Sequence, residues 1–179
     1  MKKQPYLVLG LLVAVSFFIF SFSSADSSES SDDSTYSREK ISLQATLVDG
    51  STLDLSAYKD KVVILDFWAT WCPPCVAEIP HFIALQKKYG KDLQIIGISV
   101  DKKHDTLKAF IDEKNINYPV VHFDPKMDEQ FGSITGIPTT FVLDREHRIV
   151  DKAVGFHAQE YFESKITPDR KSTRLNSSH

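Results

Sequence analysis

Both cysteines of this chain stand in Trp71-Cys72-Pro73-Pro74-Cys75, where a nearly continuous apolar run gives way to a helical pattern. With no third cysteine to compete, any disulfide within the chain has to join these two. A loop that small hardly restrains an unfolded chain, so a purely structural staple is a poor account of the pair. A Cys-x-x-Cys at the start of a helix suits reversible thiol–disulfide chemistry instead, because the dipole and free amides of a helix N-terminus favour the thiolate. The same position constrains the fold: a strand has to end, and a helix begin, at the sulfurs.

The strand is Lys61-Val62-Val63-Ile64-Leu65-Asp66-Phe67-Trp68, apolar in nearly every position and so expected to be buried on both faces. The helix is expected to run from the cysteines to about Tyr89, with Ile79, Phe82, Ile83 and Leu85 as core contacts. Pro73 and Pro74 fit its first turn, Pro80 is expected to kink it, and Gly90 to end it. Leu93–Val100 reads as a second buried strand, which makes a β-α-β crossover with a parallel pair. A helix over His104–Lys114 and a short strand at Tyr118–Val121 follow. Thr139–Leu143 and Arg148–Ala153 flank a turn as an antiparallel hairpin, and Ala158–Ile166 forms a last helix. Upstream, Leu43–Leu47 and Thr52–Leu55 flank Asp49-Gly50 as a further hairpin. The class is α/β, with a mixed central sheet, helices on both faces and an extra N-terminal β-hairpin.

The ends differ from this middle. Residues 1–25 carry Lys2 and Lys3, an apolar stretch from Leu7 to Phe22, and small residues at Ser23-Ser24-Ala25: the pattern of a signal peptide, or of an N-terminal membrane anchor if retained. Either outcome places the rest outside the cytoplasm, in the periplasm or tethered to the outer face of the inner membrane. Residues 26–40 are rich in Ser and acidic side chains and read as a mobile linker. Residues 41–168 are of ordinary domain size. Residues 169–179, DRKSTRLNSSH, match the codon-by-codon translation of a common sequencing adapter and are expected to be a non-native tail. The whole chain has a formal charge of −3, and without its basic ends it is more acidic still. No basic stripe is available for nucleic acid.

Taken with Gly136-Ile137-Pro138-Thr139-Thr140-Phe141 and Glu78-Ile79-Pro80, the Asp66–Cys75 segment resembles the extracytoplasmic thioredoxin-like proteins, and among them the TlpA/ResA/DsbE group. The resemblance spans roughly Ile41 to Ile166 and implies a thioredoxin fold. It implies a thiol–disulfide oxidoreductase with no cofactor beyond a redox-active Cys72–Cys75 disulfide. It further implies disulfide-containing exported proteins or apocytochrome c as substrates, and a membrane protein as electron donor.

Cys72, at the helix end and expected to be exposed, is the candidate attacking nucleophile, with Cys75 as the buried resolving thiol in need of a base. Asp66 lies within an apolar strand, where an unpaired charge is costly, so its pKa is expected to rise. In thioredoxin an aspartate at this strand position serves the buried cysteine. Glu78, three residues after Cys75, matches the acidic residue typical of the ResA-like proteins. By the same resemblance Pro138 is expected to be cis and to face the cysteines, letting the Ile137 backbone pair with an extended partner. Trp71, Pro73 and Pro74 complete the expected partner surface, and Trp68 reads equally well as core.

Other chemistries fit poorly. Structural zinc needs four ligands, c-type haem attachment needs a histidine where Val76 stands, and a peroxiredoxin uses its peroxidatic cysteine in another context. His81, His104, His122, His147 and His157 are scattered and read as surface residues. A disulfide-donating oxidase and a non-catalytic peptide-binding module remain as alternatives to a reductase.

Overall fold

A computed structural model describes residues 40–166, so the expected leader, the expected linker up to residue 39 and the expected C-terminal tail lie outside the described residues. The elements are β1 (Gln44–Thr46), β2 (Thr52–Asp54), β3 (Val62–Trp68), α1 (Pro73–Tyr89), β4 (Leu93–Ser99), α2 (His104–Lys114), β5 (Val120–His122), α3 (Asp128–Phe131), β6 (Thr139–Leu143) and β7 (Ile149–Val154), with a last helix, α4, over 159–166. The central sheet has the order β5-β4-β3-β6-β7. β3 pairs parallel with β4 and antiparallel with β6, so the strand that ends at the cysteines is flanked on both edges. Every residue of β3 and β4 is buried, as their apolar runs require.

Alternate residues of β3 serve two cores. Ile64 and Trp68 pack with Cys75, Ile79, Phe82 and Leu85 of α1, Leu107 of α2, and Phe162 and Ile166 of α4. Val63, Leu65 and Phe67 pack with Leu43, Leu53, Met127 and Phe131 of the hairpin and α3 side. Phe67 lies edge-on to Phe131 and Phe141, with ring centres 5.5 and 5.8 Å away. The β1–β2 hairpin pairs antiparallel and extends the β5 edge through Val48 N–H to Val120 O, 3.0 Å. This is the expected α/β thioredoxin-like architecture with its extra hairpin.

Two local expectations need correction, at β5 and at His147, and one short helix is added to those expected. The strand expected at Tyr118–Val121 pairs only from Val120, because Pro119 has no N–H to give the ladder and contributes its carbonyl to Gly97 N–H at 2.9 Å. Gly90 ends α1 as expected, in right-handed backbone (φ −53°), its carbonyl taken by Lys61 Nζ at 2.8 Å. α3 went unread: Asp124 caps the turn before it, accepting from Lys126 N–H at 3.0 Å, and Met127 and Phe131 supply its buried face. His147, read as a surface residue, is buried, with Nε2 3.2 Å from Tyr58 O.

Gly97 sits opposite Asp66, where Trp68 and Tyr118 close over the sheet. A Cβ there would stand 2.8 Å from Trp68 Nε1 and 3.4 Å from Tyr118 Cε2, in surroundings too rigid to yield cheaply. Gly97→Ala is therefore expected to destabilise the protein by about 1–3 kcal/mol in urea unfolding.

Candidate active site

α1 begins with Cys72 as its N-cap. Pro73 and Pro74 occupy the next two positions and have no N–H, so the first backbone donor of the helix belongs to Cys75, and it points at Cys72 Sγ, 3.4 Å away. The two sulfurs form a disulfide. Cys72 Sγ also lies 3.8 Å from the Ile137 carbonyl oxygen, and the Ile137–Pro138 peptide is cis. The loop bearing Pro138 is pinned by Thr139 Oγ1 donating to Gly136 O at 2.7 Å and by Gly155 N–H donating to Pro138 O at 2.8 Å.

Contrary to expectation, Cys72 is not openly exposed: it is 5% accessible, because Sγ packs against the Ile137 loop, while Cys75 is fully buried. The open surface belongs to Trp71, 67% exposed, and to Pro73 and Pro74. Trp68, by contrast, is wholly core.

Both acids lie inside. Asp66 is buried on the face of β3 that carries Ile64 and Trp68, and among the described residues its carboxyl accepts a single long hydrogen bond, from Thr140 Oγ1 at 3.4 Å. Burial first, and the nearby Glu78 second, raise its pKa well above the usual aspartate value. Glu78 is also buried, which excludes a solvated role. Its Oε1 accepts from His157 N–H at 2.6 Å, and burial lifts its pKa to about 7 although that bond opposes the rise. The His157 link joins residues distant in sequence through a backbone amide, which no motif signals. Tyr118 is a third buried titrating group. Its hydroxyl is pushed well above its ordinary value by burial and then by Asp66 and Glu78. Among the described residues Glu78 Oε2, Tyr118 Oη and Trp68 Nε1 have no hydrogen-bond partner, so this chamber is costly. No group of three or more His, Cys, Asp or Glu among the described residues is arranged to hold a metal ion.

The raised Glu78 pKa has a signed consequence. The native state holds this proton more tightly than the unfolded chain, so stability falls as pH rises from about 4.5 to about 7 and then levels. The loss is on the order of 3 kcal/mol. Chemical denaturation of the parent between pH 4.5 and 8 should show this fall, and Glu78→Gln, whose amide oxygen still accepts from His157, should remove the Glu78 share of it and leave a smaller fall that belongs to the buried Asp66.

Comparison with known proteins bears on the same geometry. The AhpC/TSA family matches residues 38–152. The chain is 32% identical over 136 residues to the thiol-disulfide oxidoreductase ResA of Bacillus cereus, covering 73% of this chain and 78% of that one. The crystal structure of a thiol:disulfide interchange protein of the thioredoxin family from Chlorobium tepidum superposes with a TM-score of 0.68 at 32% identity, over 73% of this chain and 94% of that one. The exposed lipoprotein thioredoxin of Streptococcus pneumoniae superposes at 0.61 with 29% identity, over 72% and 99%. With its disulfide capping a helix at the end of a central strand, the chain belongs to the AhpC/TSA family and is a thioredoxin-like thiol-disulfide oxidoreductase of the ResA/DsbE type.

Proposed function

We propose that this protein works outside the cytoplasm as a reductase of disulfides in exported proteins, apocytochrome c among them, and is re-reduced by a membrane electron donor. Residues 1–25 act as export signal or anchor, residues 26–40 as linker and residues 41–168 as the redox domain; residues 169–179 are a non-native tail. The supporting observation is the Cys72–Cys75 disulfide at the mouth of α1, with one sulfur beside the Ile137 carbonyl and two desolvated acids on the core side.

In the reduced protein Cys72, held at the helix N-terminus by the Cys75 amide, attacks a sulfur of the partner's disulfide. That bond breaks, the leaving sulfur takes a proton, and Cys72 is joined to the partner. Trp71, Pro73, Pro74 and the Ile137–Pro138 loop seat the partner segment. Cys75 then gives its proton to the acid pair and attacks Cys72 Sγ; the Cys72–partner bond breaks, the intramolecular disulfide forms, and the departing partner sulfur takes up a proton, which the acid returns directly or through solvent. Two electrons and two protons pass from the dithiol to the partner. A carboxyl titrating near 7 suits the acceptor role at neutral pH, so Glu78 takes this proton, while Asp66, raised well above the aspartate range by burial and then by Glu78, holds its own.

Insulin reduction tests the cycle. The parent is expected to turn over, Cys72→Ser to lose turnover entirely, and Cys75→Ser to accumulate a mixed disulfide on Cys72. Turnover that survives Cys72→Ser overturns the mechanism, and no turnover in the parent favours a peptide-binding module. Equilibration with glutathione sets the direction: a reductase is expected to poise near about −250 mV or below, whereas a value near about −120 mV marks a disulfide donor.

A further inference from the structure

The corner that delivers Cys72 is held from outside its own loop. β3 ends at Trp68, and its ladder to β4 runs one step further through Val100 N–H to Trp68 O, 2.9 Å. The chain then turns, and Asp101 takes both donors of Thr70: the backbone N–H at Oδ2, 2.9 Å, and the hydroxyl at Oδ1, 2.7 Å. Ser99, fully buried at the end of β4, braces that carboxylate. Its Oγ donates to Oδ2 at 2.8 Å and accepts the Asp101 N–H at 3.1 Å. On the far side of the turn, Cys72 N–H donates to Ala69 O at 3.2 Å. One carboxylate receives three donors, and hydrogen bonds to an ionised acceptor are the strong kind. Thr70 is separated from Cys72 only by Trp71, the most exposed large apolar side chain among the described residues.

We propose that Asp101 is a positioning residue for thiol–disulfide exchange: its carboxylate clasps the Thr70–Trp71 corner and so sets where Cys72 Sγ stands relative to Cys75 and the Ile137 carbonyl. The inference rests on Cys72 being the attacking sulfur. Asp101 makes no hydrogen bond to either cysteine and acts through Thr70. How readily a dithiol closes depends on the effective concentration of one sulfur at the other. A corner free to wander lowers that concentration, which makes the disulfide easier to reduce and Cys72 slower to meet an incoming disulfide in line.

The test uses the full chain with Asp101→Ala, Asp101→Asn and Thr70→Val, each measured at a temperature where circular dichroism shows it folded. Asp101→Ala is expected to shift the equilibrium with glutathione about fivefold toward the dithiol, which is about 20 mV. Mixed-disulfide formation with insulin should slow by about the same factor. Asp101→Asn, whose amide oxygen still accepts the Thr70 N–H, should recover most of both. Thr70→Val loses only the hydroxyl bond, should move both by about twofold, and carries the test if the alanine variant does not fold. If the variants melt lower yet match the parent in potential and rate, the carboxylate serves stability alone and the inference is overturned. Peptide mapping that finds the partner on Cys75 would instead overturn the reading of Cys72 as attacking sulfur, whatever Asp101 does.

Discussion

The burial of β3 on both faces and along both edges is the constraint on which the site depends. A strand hydrogen-bonded to β4 on one side and β6 on the other cannot slip by one residue without exchanging its two core faces. The register that sends Ile64 and Trp68 toward α1 therefore sends Asp66 there too. It also fixes where the strand stops. The ends of β3 and β4 and the start of β6 meet at one edge of the sheet, and each supplies a part: Cys72 just beyond Trp68, Asp101 just beyond Ser99, and Pro138 just before Thr139.

Against that frame the acid pair is an energetic oddity. Two carboxyls lie where apolar side chains would pack at lower cost, burial raises the expense of ionising both, and Glu78 adds to that expense for Asp66. The region gives little back: one long bond to Asp66, one amide to Glu78, and several polar atoms unanswered. Stability is being given up on the helix that begins at the cysteines and on the strand that ends before them, and buried groups that titrate outside their ordinary ranges are what the proposed proton transfer calls for.

How much was legible in the chain follows from what carries each feature. β3, β4 and α1 were legible because long apolar runs and a proline-marked helix start leave few alternatives. The pairing of Pro138 with the cysteines came through resemblance, since 65 residues separate Ile137 from Cys72 and no local pattern joins them. The limited access of Cys72 was misjudged for the same reason: the loop that covers it is remote in sequence. Glu78 could be singled out by its spacing from Cys75, but its amide partner at His157 could not. Asp101 and Thr70 are ordinary loop polar residues until the crossover brings the ends of two strands side by side. β5 and α3 were misplaced or missed because a proline and a short capped turn decide them, and both are weaker signals than apolar periodicity.

The near-complete enclosure of Cys72 beside an open Trp71 carries one last consequence. A small thiol or disulfide colliding at random finds little of Cys72, whereas on the proposed docking a protein that first settles on the tryptophan and the two prolines would be led to it. On that reading the site would be insulated from the bulk redox pool kinetically, whatever its potential. The oxidation state of the pair would then record which partners have docked rather than what the surrounding solution contains, and discrimination by shape would come ahead of discrimination by driving force.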